Sequence, residues 1–195
     1  MKKESTGGVK TRELRELTEL IRGRRTINLF LRTPVPLNLV RDAIETAVWA
    51  PNHHVTEPWR FYSLGAKTVS RCIELVHDIA TEKKDAHAAD FKAASWSEKP
   101  GWLVVTCRRS EDELRQQEDY AACSAAVQNL LLLLWQAGVG SKWSTGLITR
   151  DPRFFDIIGV DSEIEMVVAL IAYGYPKVTP TQSRKEVQDV MTELP

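Results

Sequence analysis

The stretch from Glu113 to Ala137 constrains the fold more than any other part of this sequence. It reads as one long helix that ends at Gly138, because glycine is the residue that most readily terminates a helix. From Tyr120 onward the stretch is apolar almost all round. A helix without a polar face must be buried in the fold or lie at a subunit interface. We therefore expect this helix to be central or to form part of an interface.

The remaining elements alternate around this helix. Helices are expected over residues 11–22, 38–49, 68–80 and 151–159. Strands are expected over residues 59–64, 102–107 and 166–172, and the near-continuous apolar run of the second predicts burial on both faces. Residues 81–99 are polar and weakly periodic, and they fit a helix, a loop or a mobile lid. The pattern predicts a single α+β domain over residues 1–195, with a helix-flanked sheet and a disordered tail over residues 1–10.

Charge and cysteine content exclude several classes of protein. The 26 basic and 26 acidic residues give a net charge of zero, so no global field draws the chain to nucleic acid or to a membrane. The three cysteines form no CxxC pair, which favours a reducing compartment. The longest apolar run, Leu130–Trp135, is far too short to span a bilayer, and no apolar signal core follows the charged N-terminus. We therefore expect a cytoplasmic protein.

A polar loop bracketed by Pro51 and Pro58 stands between a predicted buried helix and a predicted strand. Its two histidines, His53 and His54, raise the possibility of a metal, but adjacent imidazoles diverge on most backbones and no four-ligand set is present. His53 is interpreted either as a packing or capping residue or as a group that lies along a planar ligand. The acidic residues Glu113, Glu118 and Asp119 of the long helix are interpreted as surface charges.

Two further segments allow a structural or a binding interpretation. The Arg-Arg-Thr run at residues 24–26 could hold a phosphate by charge-assisted hydrogen bonds, or it could be a solvated helix end. The glycine-rich segment 138–146 could let backbone approach a ligand, or it could simply terminate the long helix. No Ser-His-Asp, HExxH or paired-carboxylate pattern is present, which favours a cofactor that performs the chemistry itself.

These segments occur in an order that resembles the FMN-dependent nitroreductase family, especially its short-chain members. The resemblance covers about residues 12–185. The matching motifs are Arg24-Arg25-Thr26, Pro34-Val35-Pro36, Ala50-Pro51, Glu57-Pro58-Trp59, Gln128-Asn129, Gly138-Val139-Gly140 and Gly174-Tyr175-Pro176. Three positions depart from the family pattern: Thr26 replaces the commoner serine, Glu57 replaces a glutamine, and His53 replaces a small polar residue.

The resemblance implies a nitroreductase-like α+β fold with a mainly antiparallel central sheet, and a homodimer with two FMN molecules at the subunit interface. It implies phosphate, ribityl and pyrimidine contacts from Arg24, Arg25 and Thr26. It implies that Trp49, Asn52 and His53 reach the flavin of the partner subunit, and that Trp143, Ser144 and Thr145 lie along the flavin ring near N5. Arg184 matches a basic residue that completes the phosphate site, and Lys185 is an alternative in the same tail.

The resemblance also implies an activity. NADH or NADPH would reduce FMN and leave, and an electron-poor acceptor such as a nitroaromatic or quinone would then be reduced in the same slot. Positive charge near N1 and O2 would stabilise the reduced flavin. Arg25 is expected in that role and Arg24 on the phosphate, with the reverse assignment as the alternative. Alternatives are a flavin-binding or redox-sensing protein with little turnover, an enzyme of the same fold that acts on flavin or halogenated aromatics, and a purely structural dimerisation protein.

Overall fold

The computed structural model describes residues 11–83 and 85–195, so the predicted tail at residues 1–10 lies outside the described residues. Within these residues, six α-helices surround one sheet. The helices are α1 (Arg12–Gly23), α2 (Leu37–Ala47), α3 (Ala66–Lys83), α4 (Ala86–Ser97), α5 (Glu113–Gln136) and α6 (Pro152–Ile158). The strands are β1 (Trp59–Ser63), β2 (Gly101–Arg108), β3 (Gly140–Ser144) and β4 (Glu165–Gly174).

The sheet has the strand order β1-β2-β4-β3, and every neighbouring pair is antiparallel. Its two central strands are buried on both faces, which confirms the double burial predicted from the apolar run of β2. Alternate side chains leave the sheet in opposite directions. Leu103 and Ile171 therefore pack towards α2 and α5, whereas Trp102 and Leu170 pack towards α3 and α6.

Helix α5 is central, as its sequence predicts. Its buried residues lie on one stripe that packs on the sheet and on α2. Asp112 caps its first turn by accepting a hydrogen bond from the Arg115 N–H. Its end follows from Gly138, whose positive φ of 76° lets the chain leave the helix at once towards β3.

Residues 81–99, which the sequence left open, are mostly helical. Helix α3 continues to Lys83, and Asp85 then caps α4 by accepting a hydrogen bond from the Ala88 N–H. Helix α4 packs mainly on α3, and its Trp96 stacks on Trp102 of β2 with ring centroids 3.9 Å apart. No helix of the described chain is long and apolar enough to cross a membrane.

The glycine-rich segment after α5 was not predicted to be a strand. Residues Gly140–Ser144 nevertheless form β3, the edge strand that pairs with β4. Glycine and lysine are depleted in strands, so the local sequence carries little strand signal. The pairing partner supplied by β4 decides the conformation, and the interpretation of this segment as only a helix terminator is wrong.

Candidate cofactor site

The Arg-Arg-Thr run leaves the end of α1 and lies against the edge of the sheet. Thr26 forms a parallel bridge with Ser141, and the Ile27 N–H donates to the Ser141 carbonyl oxygen at 2.9 Å. Gly140 makes this approach possible, because a Cβ atom at that position would lie 2.5 Å from Cγ1 of the buried Ile27. The run is therefore held beside β3, close to Trp143–Thr145, which is the predicted ring-facing stretch.

Arg24, Arg25 and Arg184 form a group of positive charges at this run. Burial lowers the pKa of Arg24, and the neighbouring positive charges of Arg184 and Arg25 lower it further. Among residues 11–83 and 85–195, no carboxylate lies within ion-pair distance of any of the three. Like charges gathered without an acid are unfavourable unless an anion joins them. The donor set suits a phosphate group, which guanidinium binds through paired hydrogen bonds.

The three arginines are not equivalent. Arg24 is half-buried and caps α1 through its backbone N–H, which donates to the Leu20 carbonyl oxygen at 3.1 Å. Arg25 turns its Nη1 back onto the carbonyl oxygens of Arg22 and Arg24, so that nitrogen is engaged at the helix end. Arg184 is exposed on the chain segment that follows β4. The structure brings it to Arg24 although 160 residues separate them in the sequence.

The predicted ring-facing stretch occupies the end of β3. The Trp143 indole N–H donates to the Val168 carbonyl oxygen at 3.1 Å, and its ring packs on the side of the sheet that carries α5. Ser144 faces the opposite side, where it lines a cavity together with Trp102. Thr145 follows the strand and is exposed. The strand therefore places these three side chains in different surroundings.

One lysine of β3 joins this stretch to the first motif. Lys142 Nζ donates to Asn28 Oδ1 at 2.8 Å, two residues beyond Thr26. The parallel pairing of Thr26 with Ser141 brings Asn28 and Lys142 next to each other. Neither was identified from the sequence. A strand assignment for residues 140–144 would have shown that Lys142 and Ser144 share one face.

The loop between α2 and β1 is held by a network of side chains. Asn52 Oδ1 accepts a hydrogen bond from the Glu57 N–H at 2.7 Å, and its Nδ2 donates to Thr56 Oγ1 at 3.0 Å. Thr56 in turn donates to the carboxylate of Asp119 on α5. Asp119 is only 5% exposed, so its interpretation as a surface charge is wrong.

The loop backbone is strained. His54, Val55 and Glu57 all have positive φ angles, of 60°, 51° and 43°. For a β-branched residue such as Val55 this conformation is a genuine outlier. Conformations of this kind cost about 1–3 kcal/mol each and persist only where surrounding contacts impose them, often at functional sites. The hydrogen bonds of Asn52 and Thr56 are contacts that hold the loop in this conformation.

The strain also decides how the two histidines are arranged. Their rings stack with centroids 3.9 Å apart, and His53 Nδ1 lies 2.9 Å from Glu118 Oε1. One donor atom from each of His53, His54 and Glu118 lies within 4.8 Å of the others. The expectation that the two imidazoles diverge is wrong, because the positive φ of His54 folds the chain back on itself. Glu118 likewise contacts the loop and is more than a surface charge.

Trp49 and helix α1 present apolar surface to solvent. Trp49 lies just beyond the end of α2, and its side chain is 85% exposed. Helix α1 has no buried residue, although Leu14, Leu17 and Ile21 lie on one of its faces and are about half exposed. A helix whose apolar stripe faces solvent is typical of a surface that another chain covers.

Comparison with known proteins agrees with this arrangement. A sequence model described as the Nitroreductase family matches residues 21–175. The chain belongs to this family. YfhC of Bacillus subtilis, named as a candidate NAD(P)H nitroreductase, is 34% identical over 183 residues that cover 91% of this chain and 94% of YfhC. An iodotyrosine deiodinase of Drosophila melanogaster is 27% identical over 91% of this chain and 69% of its own length.

Solved structures show the same fold. The nitroreductase-like protein of Bacillus cereus superposes with a TM-score of 0.84 at 25% identity, over 97% of this chain and 99% of its own. A nitroreductase-type protein from Desulfovibrio desulfuricans, solved in complex with FMN, superposes with a TM-score of 0.74 at 22% identity, over 92% and 96% of the two chains. The family and the α+β fold expected from the sequence are confirmed.

In this member of the family, helix α4 covers an apolar cleft of about 490 Å³. Its walls come from α3, from α4 and from Leu147, and the side chains of Phe91 and Leu147 are both exposed. The adjoining cavity reaches Ser144, so the cleft approaches the predicted ring-facing stretch. Residues 81–99, whose sequence fits a helix, a loop or a mobile lid, therefore contribute helix α4 to the wall of this cleft.

Proposed function

We propose that this chain is an FMN-dependent oxidoreductase that transfers reducing equivalents from NAD(P)H to an electron-poor acceptor. The observation that carries the proposal is that the charges of Arg25 and Arg184 act on Arg24, while no carboxylate of the described residues lies within ion-pair distance of any of the three. The packing of the fold does not require three cations at this place. A bound phosphate group, in contrast, would be stabilised by them. The relative named as a candidate NAD(P)H nitroreductase and the FMN-bound structural neighbour support the choice of cofactor and reductant.

The residues fit FMN in a definite order along the sheet edge. The arginines would hold the phosphate, Thr26 would face the ribityl and pyrimidine part, and the stretch Trp143–Thr145 would follow the ring. Bound FMN would supply the hydride-transfer chemistry, with NAD(P)H and the acceptor using the same slot in turn. The chain's own part is to hold, orient and electrostatically stabilise the cofactor.

A homodimer completes this site in our proposal. Trp135 lies against Gly23 at one end of α5, whereas Glu118 and Asp119 hold the loop at the other end. Seventeen helical residues separate these ends by roughly 25 Å, at 1.5 Å per residue. The arginines and the loop therefore occupy distant parts of one chain. We propose that Asn52, His53 and the exposed Trp49 contact the FMN held by a second copy, and that the apolar face of α1 is covered by that copy.

The cofactor assignment is tested by purifying the protein and releasing its ligand. The released compound should be FMN, and colourless protein should regain a flavin spectrum when FMN is added. NADH or NADPH should then bleach the flavin, and a quinone or a nitroaromatic should restore its colour. Protein that does not bind FMN after reconstitution would contradict the proposal. Sedimentation at micromolar concentration should give the mass of two chains.

One alternative has a specific observation in its favour. The relationship to an iodotyrosine deiodinase agrees with an enzyme of the same fold that acts on halogenated aromatics. The apolar cleft beneath α4 would accept an aromatic ring in either case. Reduced enzyme should be offered a quinone, a nitroaromatic and a halogenated phenol in parallel. Release of halide at a rate that exceeds nitro or quinone reduction would favour the alternative, and slow reaction with all three would favour a flavin-binding protein with little turnover.

A further inference from the structure

We propose that Lys142, held by Asn28, supplies the positive charge that faces the N1 and O2 atoms of the bound flavin. The inference rests on the proposed FMN site and adds a residue that sequence reasoning did not single out. It replaces Arg25, which the sequence suggested for this role. The consequence is a specific contribution of one lysine to the reduction potential of the cofactor.

The first step concerns position along the sheet edge. The bridge from Thr26 to Ser141 fixes the register, so Asn28 and Lys142 lie beyond it in the same direction. Lys142 directly precedes Trp143, the first residue of the predicted ring-facing stretch. The lysine thus stands between the phosphate arginines and the segment assigned to the ring. A flavin whose phosphate lies at the arginines would bring its pyrimidine edge to this place.

The second step concerns which cation is available. Arg25 directs its Nη1 at two carbonyl oxygens at the end of α1. Lys142 contacts a neutral amide, and within residues 11–83 and 85–195 no carboxylate lies within ion-pair distance of it. Its field is felt nearby: burial lowers the pKa of Lys99, and the charge of Lys142 lowers it further. Among the described residues, the charge of Lys142 is therefore not neutralised by an ion pair.

The third step concerns Asn28. A lysine ammonium group has only donors, so it must face the carbonyl oxygen of the amide and not its NH₂. The hydrogen bond at 2.8 Å thereby fixes the amide orientation and leaves Nδ2 as a donor directed elsewhere. Lys142 therefore offers a cation, and the neighbouring Asn28 offers an N–H donor. An oxygen that gains negative charge is stabilised by such a preorganised pair.

The chemical effect has a definite sign. Two-electron reduction of flavin with uptake of one proton leaves a negative charge over N1 and O2, and a cation there favours the reduced form. Removing the cation should make the midpoint potential more negative. A tenfold change in the ratio of oxidised to reduced flavin at a fixed potential corresponds to about 30 mV for a two-electron couple.

The test compares reconstituted, FMN-loaded protein of the wild type and four variants. Lys142→Met removes the charge, Lys142→Arg keeps it, and Asn28→Asp places a carboxylate beside it. Lys67→Met removes the same charge from an exposed position on α3 and serves as the matched control. For each protein, the FMN dissociation constant is measured by fluorescence titration, and the midpoint potential is measured by equilibration with a reference dye.

We expect Lys142→Met to shift the oxidised-to-reduced ratio about tenfold towards oxidised flavin, or about 30 mV. Asn28→Asp should shift it in the same direction, whereas Lys142→Arg and Lys67→Met should stay within about twofold of wild type. Potentials of Lys142→Met and Asn28→Asp that equal the wild type would overturn the inference and leave the FMN site standing. If Lys142→Met does not retain FMN, Asn28→Asp alone decides. Wild-type protein without FMN affinity would instead overturn the proposed function.

Discussion

Thr56 donates its hydroxyl proton to the buried carboxylate of Asp119, and this bond joins the strained loop before β1 to the central helix. A carboxylate that is 5% exposed needs donors, because its desolvation is costly. The loop and the helix therefore stabilise each other. Since the proposed function assigns Asn52 and His53 to the flavin of a second copy, this bond also governs how those residues are presented.

Thr56→Val keeps the shape of the side chain and removes the donor. We expect the free energy of unfolding to fall by about 1–3 kcal/mol, because a buried acceptor loses its partner. Urea denaturation at neutral pH measures it. Gln117→Ala, at an exposed position of the same helix, is the control and should change stability by less than about 0.5 kcal/mol. An equal effect of both substitutions would show that the Thr56–Asp119 bond contributes nothing.

Arg24→Ala should weaken FMN binding by about 1–2 kcal/mol or more, because a charge-assisted hydrogen bond to phosphate is lost. Riboflavin, which lacks the phosphate, should bind the wild type and the variant with similar affinity. Arg12→Ala is the control, since Arg12 is exposed and, among the described residues, forms an ion pair only with Glu16, one turn further along α1. Fluorescence titration with both ligands measures the difference. A loss of riboflavin affinity as large as the loss of FMN affinity would point to general damage and not to a phosphate contact.

Gly140→Ala should separate the first motif from β3. The new Cβ atom would stand 2.5 Å from Cγ1 of Ile27 and 2.8 Å from Cγ of Pro176, so the chain must shift. Overpacking of this kind typically costs about 1–3 kcal/mol of stability. Denaturation of the single variants and of the double variant with Ile27→Ala measures the coupling. Because Ile27→Ala removes the nearest clashing atom, the double variant should lose less stability than the sum, and strict additivity would contradict the proposed clash.

Cys72 should make the free energy of unfolding depend on pH in the alkaline range. Burial within α3 raises the pKa of its thiol from 9.0 to about 11. Below pH 9 the Cys72 thiol is protonated in both the folded and the unfolded chain, so the free energy of unfolding has its full value. Between about pH 9 and 11 the unfolded chain releases the proton and the folded chain keeps it, so the free energy of unfolding falls by up to about 3 kcal/mol.

Cys72→Ala should reduce that slope between pH 9 and 11, although it also lowers stability at neutral pH by leaving a cavity. Val76→Ala removes a buried side chain from the same helix without removing a titratable group, and it should keep the wild-type slope. Denaturation at several alkaline pH values compares the three proteins. Identical slopes for the wild type and Cys72→Ala would show that this thiol does not contribute.

Local sequence was sufficient for elements whose signals lie within a few residues. The apolar periodicity of α5, the Asp151 cap and Gly159 at the end of α6, and the unbroken apolar run of β2 each specify their own conformation. Residues Ala86–Ser97 lacked such a signal, because their apolar residues follow no single face, and packing on α3 decides their helical state. Strand β3 likewise depends on β4, which no local pattern reveals.

The sequence by itself determined the family, the α+β class and the segments from which a flavin site could be built, because ordered motifs and periodicity are local properties of the chain. Only the tertiary structure decided which side chains meet. It brought Arg184 to Arg24, joined Lys142 to Asn28, and turned Glu118 and Asp119 from apparent surface charges into anchors of a strained loop. Such contacts depend on strand register and helix packing between residues far apart in sequence. Which charges interact and which groups form hydrogen bonds is decided by their distance in space.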